Sequence, residues 1–322
     1  MSLTISVVIP CYNAAEYLVE AVSSVHRQTR PPVEIIVVDD GSTDGSAELA
    51  AGLDGVRVLV QRANGGPGAA RNVGTAAARG DVIAWLDADD RWEAEHLACL
   101  AELLERHPSA SVAFSRARQF GERNGEWPRL IPSELALDPF WTALGWCLAL
   151  PSATAVRRDA LLSVGGFDES LRVAEDFELW IRLARRGHLF ICSDAVTCER
   201  RQHGGNTETM HYSRAEYEVR HRLWRAESLA ASDPEYVARL GKALGDIWER
   251  RLDDAWHMRS RAVMEFQLSM ERFVPDGSDR GRAWRRKAIL LPVLPLLDRA
   301  RAHARRLGRA VRGGAAAGMT HE

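Results

Sequence analysis

Three carboxylates stand within four residues in the segment Asp87-Ala88-Asp89-Asp90, directly after the apolar run Asp81–Leu86. Carboxylates this close repel one another unless a cation neutralises them. Their oxygens suit Mg²⁺ or Mn²⁺, which also bridge phosphate groups. The alternative is a solvated turn that caps the next helix, because acidic residues favour helix N-termini. For an isolated cluster of this kind, the turn is the simpler interpretation.

A second acidic pair, Glu175-Asp176, opens a predicted helix after the glycine-rich turn Gly165-Gly166-Phe167-Asp168-Glu169. A carboxylate held at such a position can act as a general base. The pair could equally well complement the positive end of the helix dipole. The residues themselves leave these two explanations open.

Two further polar segments could contact a nucleotide. Asp39-Asp40-Gly41-Ser42 forms a turn whose carboxylates can accept hydrogen bonds from a nucleobase N–H or from ribose hydroxyls. The glycine-rich loop 64–72 precedes a predicted helix and can approach phosphates, with Arg71 paired to them. Arg71 stands where the dinucleotide-binding fingerprint has its last glycine, and no Gly-Lys-Ser/Thr follows. The loop therefore indicates neither NAD binding nor P-loop ATP hydrolysis.

Alternating strands and helices must position these segments. Apolar runs predict strands at Leu3–Ile9, Val33–Val38, Val56–Val60, Asp81–Leu86 and Ser111–Phe114. Helical spacing and caps predict helices at 13–28 (with Asn13 as N-cap), 43–51, 67–79, 93–107 and 175–186. This order predicts an α/β fold with a doubly wound, mostly parallel sheet. Ligands bind such sheets beyond the C-terminal ends of the strands, where Tyr12–Asn13, Asp39–Asp40 and Asp87–Asp90 all fall.

The rest of the chain changes character. Residues 119–147 mix Pro, Gly and Trp and predict a loop-rich insertion over the site. Its tryptophans could form a platform for a sugar acceptor, although such side chains more often close a core or a loop: Trp127, Trp141 and Trp146. Helical patterns from Arg214 to Met270 carry tryptophans interpreted as core: Trp224, Trp248 and Trp256. We therefore predict one domain over 1–210 and a helical C-terminal appendage over 211–322.

The net charge of −2 is the sum of a basic C-terminal tail and an acidic remainder. From Arg280 to Arg312 eleven Lys/Arg face the single acid Asp298, a local charge of +10 that leaves −12 for the remainder. Together with Trp284 and the short apolar run Ala288–Leu297, this tail suits an anionic membrane surface. Packing of the tail on the acidic body is the competing explanation. The near-neutral whole gives no indication of a nucleic-acid partner.

Cysteine usage and hydropathy bear on the compartment. The five cysteines include no Cys-x-x-Cys pair, which favours reduced, buried thiols. The N-terminus shows no secretory signal, and no segment approaches the roughly 18–20 apolar residues of a membrane span. We expect a cytoplasmic protein, which the basic tail would place peripherally at the inner face of the plasma membrane.

Taken together and in this order, the motifs resemble inverting family 2 glycosyltransferases, which have the GT-A fold. The matching segments are Val7-Val8-Ile9-Pro10-Cys11-Tyr12-Asn13, Val37-Val38-Asp39-Asp40-Gly41-Ser42, Asn64 through Gly74, Trp85-Leu86-Asp87-Ala88-Asp89-Asp90, and Gly165–Glu169 with Glu175-Asp176 and Leu179-Trp180. The resemblance covers about residues 3 to 205. It implies a GT-A, Rossmann-like domain that binds a nucleotide-sugar donor.

The resemblance also implies a role for each matching position. Donor-binding residues would be Pro10, Tyr12, Asn13, Asp39, Asp40, Asn64, Arg71 and Asp87. Among them, Tyr12 would stack on the nucleobase and Asp40 would bind the edge of the base, with Asp39 supporting it. Arg71 would lie near the nucleotide, and Asp87 would face the ribose or a metal-bound water.

Three positions would carry the metal and the chemistry. Asp89 would ligate Mn²⁺ or Mg²⁺, and His203, in the segment Arg201-Gln202-His203, would join the metal or pyrophosphate shell. A surface-loop role for His203 remains open. Asp176 would be the general base that deprotonates the acceptor hydroxyl. The metal would neutralise the leaving diphosphate.

The predicted reaction is inverting, metal-dependent transfer of a sugar, with a UDP-sugar favoured as donor. The acceptor would be a hydroxyl of a saccharide or a lipid-linked glycan, in the synthesis of a polysaccharide, glycolipid or glycoconjugate. Nucleotidyl transfer to a sugar phosphate is an alternative, although the turn Pro10–Asn13 lacks a glycine-rich loop with Arg and Lys. A second alternative is an inactive scaffold that binds nucleotide sugars, but the presence of both Asp89 and Asp176 argues against it. Two-carboxylate glycoside hydrolysis also stays conceivable.

Overall fold

The computed structural model describes most of the N-terminal two-thirds of the chain and several C-terminal helices. The described residues are 2–122, 124–126, 139–145, 149–204, 209–230, 233–257 and 261–274. Inter-residue contacts divide the chain into one compact unit that ends at Glu216 and a second that begins at Tyr217. The predicted division between 210 and 211 stays a prediction.

A mixed β-sheet forms the centre of the first unit. Its strands are β1 (Ile5–Cys11), β2 (Glu34–Asp39), β3 (Val56–Val60), β4 (Val82–Trp85), β5 (Arg91–Trp92), β6 (Ala110–Gly121), β7 (Gly125–Glu126), β8 (Thr154–Arg157) and β9 (Leu189–Gln202). They lie in the order β3-β2-β1-β4-β8-β6-β9-β5, with β7 paired to β6. Strands β1 to β4 are mutually parallel, and β9 runs parallel to β6, whereas β8 is antiparallel to both of its neighbours. The predicted α/β fold is confirmed.

The described helices are distributed over both units. They are α1 (Ala15–His26), α2 (Ser46–Ala51), α3 (Pro67–Ala77), α4 (His96–Arg106), α5 (Pro139–Gly145), α6 (Arg158–Ser163), α7 (Glu175–Arg185), α8 (Thr209–Leu229), α9 (Pro234–His257) and α10 (Arg261–Ser269). Strands β1, β2 and β4 are buried almost throughout. This burial explains their continuous apolar sequences, because helices cover both faces of such a sheet.

The start of α1 corrects one prediction. Asn13 does not cap the helix: its backbone has φ of 50°, in the left-handed region, and the capping position is Ala14. The Asn13 Oδ1 accepts a hydrogen bond from the Thr43 backbone N–H at 2.8 Å instead. Asp44 Oδ2 accepts the Ala15 N–H at 3.0 Å, so a side chain of the neighbouring loop satisfies the first turn.

The sequence pattern predicted only the first part of β6 and none of β5, β7, β8 and β9. Strand β6 continues beyond the predicted end at Phe114 because it pairs with β9 as far as Gly121 and Gln202. The first residues of the predicted insertion are therefore strand. Strand β8, only four residues long, inserts between β4 and β6. Most of the remaining insertion, including Trp127 and Trp146, lies outside the described residues, as does the Trp141 side chain.

The second unit has a small apolar core of its own. Tyr217, Trp248, Leu252 and Met264 are buried together there. The Trp248 Nε1–H donates to the Gln267 carbonyl at 2.7 Å, which confirms this tryptophan as a core residue. Trp224 is half-buried, and the side chain of Trp256 lies outside the described residues. None of the helices in the described part of the chain is long and apolar enough to cross a membrane.

Candidate active site

The C-terminal ends of β1, β2 and β4 bring the first predicted residues to one edge of the sheet. In the register of β1 and β2, Pro10 pairs with Val38 and Cys11 pairs with Asp39. Tyr12 follows directly and is half exposed, with 50% of its surface accessible, so its ring face is open to a planar ligand. Burial raises the pKa of the Cys11 thiol to about 11, which keeps this thiol protonated and unreactive.

The turns after β1 and β2 are cross-linked. The Asn13 backbone N–H donates to Ser42 Oγ at 2.9 Å, and the Thr43 N–H donates back to Asn13 Oδ1. This reciprocal pair fixes the backbone on the C-terminal side of Tyr12. Asn13 therefore lies at the predicted site, and its side chain binds the backbone of the loop that carries Ser42.

The two aspartates at the end of β2 have different surroundings. Asp40 Oδ1 accepts hydrogen bonds from the Gly65 N–H at 2.7 Å and from Gln61 Nε2 at 2.8 Å, and its Oδ2 accepts the Gly66 N–H at 2.7 Å. Asp39 Oδ2 accepts the Ser42 N–H, whereas its buried Oδ1 has no hydrogen-bond partner within the described residues. A buried acceptor of this kind needs a donor. Both oxygens of Asp40 therefore bind the glycine-rich loop and Gln61, whereas Asp39 keeps one oxygen for a further donor.

Arg71 lies at the centre of a buried ion cluster. Its Nη2 is 2.7 Å from Asp87 Oδ1, its Nη1 is 2.7 Å from Glu175 Oε1, and its guanidinium stacks over the Phe167 ring at 5.3 Å. Burial would lower the pKa of Arg71, but the two carboxylates outweigh burial and raise it. Arg71, which was predicted to pair with phosphates, thus binds two carboxylates of the protein and joins the turn after β4 to the start of α7.

His203 lies beside Asp89, and its role in holding a metal stays a prediction. Its Nε2 is 3.0 Å from Asp89 Oδ2, and its ring is 5.0 Å from the Tyr17 ring. Arg201 fixes this arrangement, because its backbone N–H donates to Asp90 Oδ1 at 2.9 Å and its Nε donates to the Asp89 carbonyl at 2.9 Å. The end of β9 is therefore fastened to the Asp87–Asp90 turn.

Asp90 differs from its two acidic neighbours because it is buried. Burial, and then the nearby charges of Asp89 and Asp87, raise its pKa well above the ordinary aspartate value. These effects favour the neutral acid for Asp90. The side chains that the turn offers to a ligand are consequently those of Asp87 and Asp89, which are one-third and one-quarter exposed.

A divalent cation fits the residues at this turn only with help from a substrate. Within the described residues no group of three or more His, Cys, Asp and Glu side chains could hold a metal ion. Asp89 and His203 form a partly exposed pair of adjacent ligands. Mg²⁺ in particular is often held by one or two protein ligands together with substrate phosphates and water. The donor set fits a site completed by a diphosphate.

The predicted base lies at the start of α7. Ala174, at its N-cap, has φ of 61°, and Asp176 is 5% exposed with its Oδ1 accepting the Phe177 N–H at 2.7 Å. Among the described residues, Asn13 and Ala174 are the non-glycine residues with positive φ, and both lie at this site, where such strain tends to concentrate. Glu175 pairs with Arg71, so the two acids of the pair make different contacts.

Sequence reasoning missed the residues that dock the Gly165–Glu169 turn. Asn72 Nδ2 donates to the Phe167 carbonyl and to Glu169 Oε1, both at 2.9 Å, and the Phe167 N–H donates back to Asn72 Oδ1. A Cβ on Gly166 would lie 2.4 Å from Asn72 Oδ1, so this position requires glycine. The signal was the Asn that directly follows Arg71 at the end of the glycine-rich loop.

A charged network around Arg201 was also missed. Arg91 pairs with Glu20 and Glu199, and Arg201 pairs with Glu20. The guanidinium groups of Arg91 and Arg201 lie 4.1 and 4.4 Å from the Phe120 ring centroid. These residues come from α1, β5, β6 and β9, so the spacing along the chain gave no indication of the network.

The fold and the site define an α/β domain of the GT-A class. Comparison with known proteins agrees: residues 6–165 match the glycosyl transferase family 2 description. An uncharacterized glycosyltransferase of Nostoc sp. is 36% identical over 177 residues, which cover 52% of this chain and 54% of the relative. Glycosyltransferase GlyG of Streptococcus pneumoniae is 37% identical over 131 residues, which cover 39% of this chain and 43% of the relative.

Solved structures show the same fold. The structure of S. aureus TarS in complex with UDP-GlcNAc has a TM-score of 0.62 at 22% identity, with 90% of this chain and 87% of that chain covered. Residues 6–165 thus form a family 2 glycosyltransferase domain, which confirms the predicted family and the GT-A fold, whereas inversion stays a prediction. The chain spans about half the length of the two relatives named above.

Proposed function

We propose that this protein transfers a glycosyl group from a UDP-sugar to an acceptor hydroxyl with inversion of the anomeric configuration. The observation that carries the proposal is the buried, unpartnered Asp39 Oδ1, on a residue that pairs in the sheet with Cys11, the neighbour of the exposed Tyr12. A uracil ring can stack on Tyr12 and donate its imide N–H to Asp39. The complexes of S. aureus TarS with UDP and UDP-GlcNAc support a uridine donor.

The pyrophosphate would then extend toward the Asp87–Asp90 turn. Asp87, held by Arg71 and by its own backbone hydrogen bond to Ser152 Oγ at 3.0 Å, is fixed where it can bind the ribose. Asp89 and His203 would hold Mn²⁺ or Mg²⁺ together with the diphosphate oxygens. When bound, the cation supplies Lewis-acid stabilisation of the leaving diphosphate. Nothing in this part of the site requires a protein group to protonate the leaving group.

Asp176 would accept the proton of the acceptor hydroxyl. The oxygen of that hydroxyl attacks the anomeric carbon, the bond between that carbon and the diphosphate oxygen breaks, and the proton passes to the Asp176 carboxylate. Attack from the face opposite the diphosphate gives inversion. Arg71, which binds both Asp87 and the neighbouring Glu175, holds the donor side and the base side of the site together.

The expected place of action is the cytoplasmic face of the plasma membrane, with a saccharide or lipid-linked glycan as acceptor. The basic segment 280–312 supports this proposal by its composition, and it lies outside the described residues. Attachment of this segment to anionic lipid would bring the site close to an acceptor carried in the membrane.

Donor screening tests the proposal. We expect UDP, and UDP-sugars in the presence of Mn²⁺, to raise the unfolding temperature of the protein above that of parallel samples with GDP, ADP or dTDP. A ligand at 100 times its dissociation constant adds about 2.7 kcal/mol to stability, which such a screen resolves. UDP release on addition of an acceptor would separate an active enzyme from a binding scaffold. Stabilisation by no uridine nucleotide would contradict the proposed donor.

A further inference from the structure

Arg172 binds the residue predicted to contact the donor from the glycine-rich loop. Its Nη1 donates to Asn64 Oδ1 at 2.7 Å, and its Nη2 donates to the Asn64 backbone carbonyl at 3.1 Å. Its guanidinium covers Gly66, where a Cβ would come within 2.9 Å of Nη1. Arg172 comes from the segment that leads into α7, two residues before the strained Ala174.

The chemistry of these two side chains determines which way the Asn64 carboxamide faces. A guanidinium has donors and no acceptor, so only the oxygen of the carboxamide can turn toward it. The Nδ2 amino group is then directed away from Arg172, and within the described residues it has no hydrogen-bond acceptor. Asn64 therefore offers two N–H donors to a ligand, and its oxygen is withdrawn from the site.

Asn64 lies next to the end of β2, where the nucleobase is proposed to bind. A Cβ on Gly41 would be 3.1 Å from the Asn64 backbone nitrogen, and Asp40 accepts the N–H groups of Gly65 and Gly66. Asp39 directly precedes Asp40, and its unpartnered Oδ1 supplies an acceptor at this end of β2. One acceptor beside one donor is the pattern that complements an imide edge, in which an N–H is flanked by carbonyl oxygens.

We infer that Arg172 is a positioning residue for nucleobase recognition, which holds the Asn64 carboxamide with its amino group toward a carbonyl oxygen of the base. This inference rests on the proposed function and adds to it the reason why the loop favours an imide base such as uracil. A reversed carboxamide would place its oxygen against the base carbonyl and repel it. Arg172 itself need not touch the nucleotide.

A double-mutant cycle with UDP, measured by calorimetry at fixed Mn²⁺, tests the inference. In the wild-type background Asn64→Ala should weaken UDP binding about tenfold, the effect of losing one hydrogen bond of about 1.4 kcal/mol. In the Arg172→Glu background the new carboxylate attracts the Asn64 amino group and turns the carboxamide oxygen toward the base. There, Asn64→Ala should leave UDP affinity unchanged or improve it.

Two controls separate orientation from charge. Arg186→Glu makes the same change of charge beyond the other end of α7, and in that background Asn64→Ala should still weaken binding about tenfold. Arg172→Lys keeps a donor for Asn64 Oδ1 and should also preserve the effect of Asn64→Ala. Unfolding curves of each variant confirm that it is folded before its affinity is used.

The outcomes are distinct. Equal weakening by Asn64→Ala in the wild-type and Arg172→Glu backgrounds would overturn the inference, because it would show that the orientation of Asn64 does not depend on Arg172. Failure of the wild-type protein to bind UDP is a different result. It would overturn the proposed donor and, with it, this inference, before any variant is compared.

Discussion

Replacing Arg71 by methionine removes the cation between Asp87 and Glu175 while keeping most of the volume of the side chain. The two partners differ in exposure: the Asp87 side chain is 33% accessible and that of Glu175 is 9% accessible. Water can rehydrate Asp87, so its pair contributes only about 0–1 kcal/mol. Glu175 would become a buried charge without compensation, which costs about 3–5 kcal/mol. The free energy of unfolding should fall by about 3 kcal/mol or more.

Urea unfolding at neutral pH measures this loss, and second substitutions identify its cause. In the Arg71→Met background, Glu175→Gln removes the uncompensated charge and should restore most of the lost stability, by about 2 kcal/mol. Asp87→Asn in the same background is the matched control and should restore little. Equal recovery by both substitutions, or by neither, would refute the assignment of the cost to the burial of Glu175.

Three further predictions concern the metal, pH and the tail. Asp89→Ala should abolish the part of the UDP affinity that depends on Mn²⁺ and leave the metal-independent part. Calorimetry in Mn²⁺ and in EDTA measures both parts, and survival of the Mn²⁺-dependent part in the variant would contradict the prediction. The hydrogen bonds from Arg30 and from the Leu3 N–H lower the pKa of Glu105 to about 2 in the folded protein. The ionised carboxylate therefore stabilises the fold above its unfolded-state pKa of about 4.3, and this contribution is lost as the pH falls toward 2. Glu105→Gln should therefore lower the urea midpoint at pH about 7 and have a much smaller effect at pH about 2, whereas an equal effect at both would contradict the pairing. Truncation before Arg280 should release the protein from anionic liposomes in flotation and leave UDP binding intact, and equal flotation of both forms would exclude the tail as anchor.

The part of the fold that the sequence predicted is the part with the most regular pattern. Strands β1, β2 and β4 are buried on both faces, and their unbroken apolar runs reported this directly. Their shared direction then placed Tyr12 and Asp39 at one edge. The short β8 gave no signal, because four residues are too few to show a period. The length of β6 depends on pairing with β9, which is distant in sequence.

The residues of the site also divide into those whose position the sequence predicted and those whose contacts only the fold reveals. Only the family resemblance linked His203 to the metal site, and the fold places this residue beside Asp89 although 114 positions separate the two. The contacts of Arg71 did not follow, because an arginine in a glycine-rich loop is as compatible with a phosphate as with the two carboxylates that it binds. The roles of Asp39 and Asp40 depend on which carboxylate the loop amides reach, and that is a property of the folded loop. Asn13 was predicted to cap the helix because the local spacing of residues does not reveal that its side chain binds the distant Thr43 N–H instead.

The proposed base gives the most direct test of the proposed reaction. With a UDP-sugar that the protein binds and a hydroxyl acceptor, Asp176→Asn should lower turnover by about 10²–10⁴-fold while the dissociation constant for UDP stays unchanged. The product of the wild-type enzyme, analysed by NMR, should carry the anomeric configuration opposite to that of the donor. Wild-type turnover by Asp176→Asn, or a product that retains the donor configuration, would contradict direct inverting transfer with Asp176 as its base.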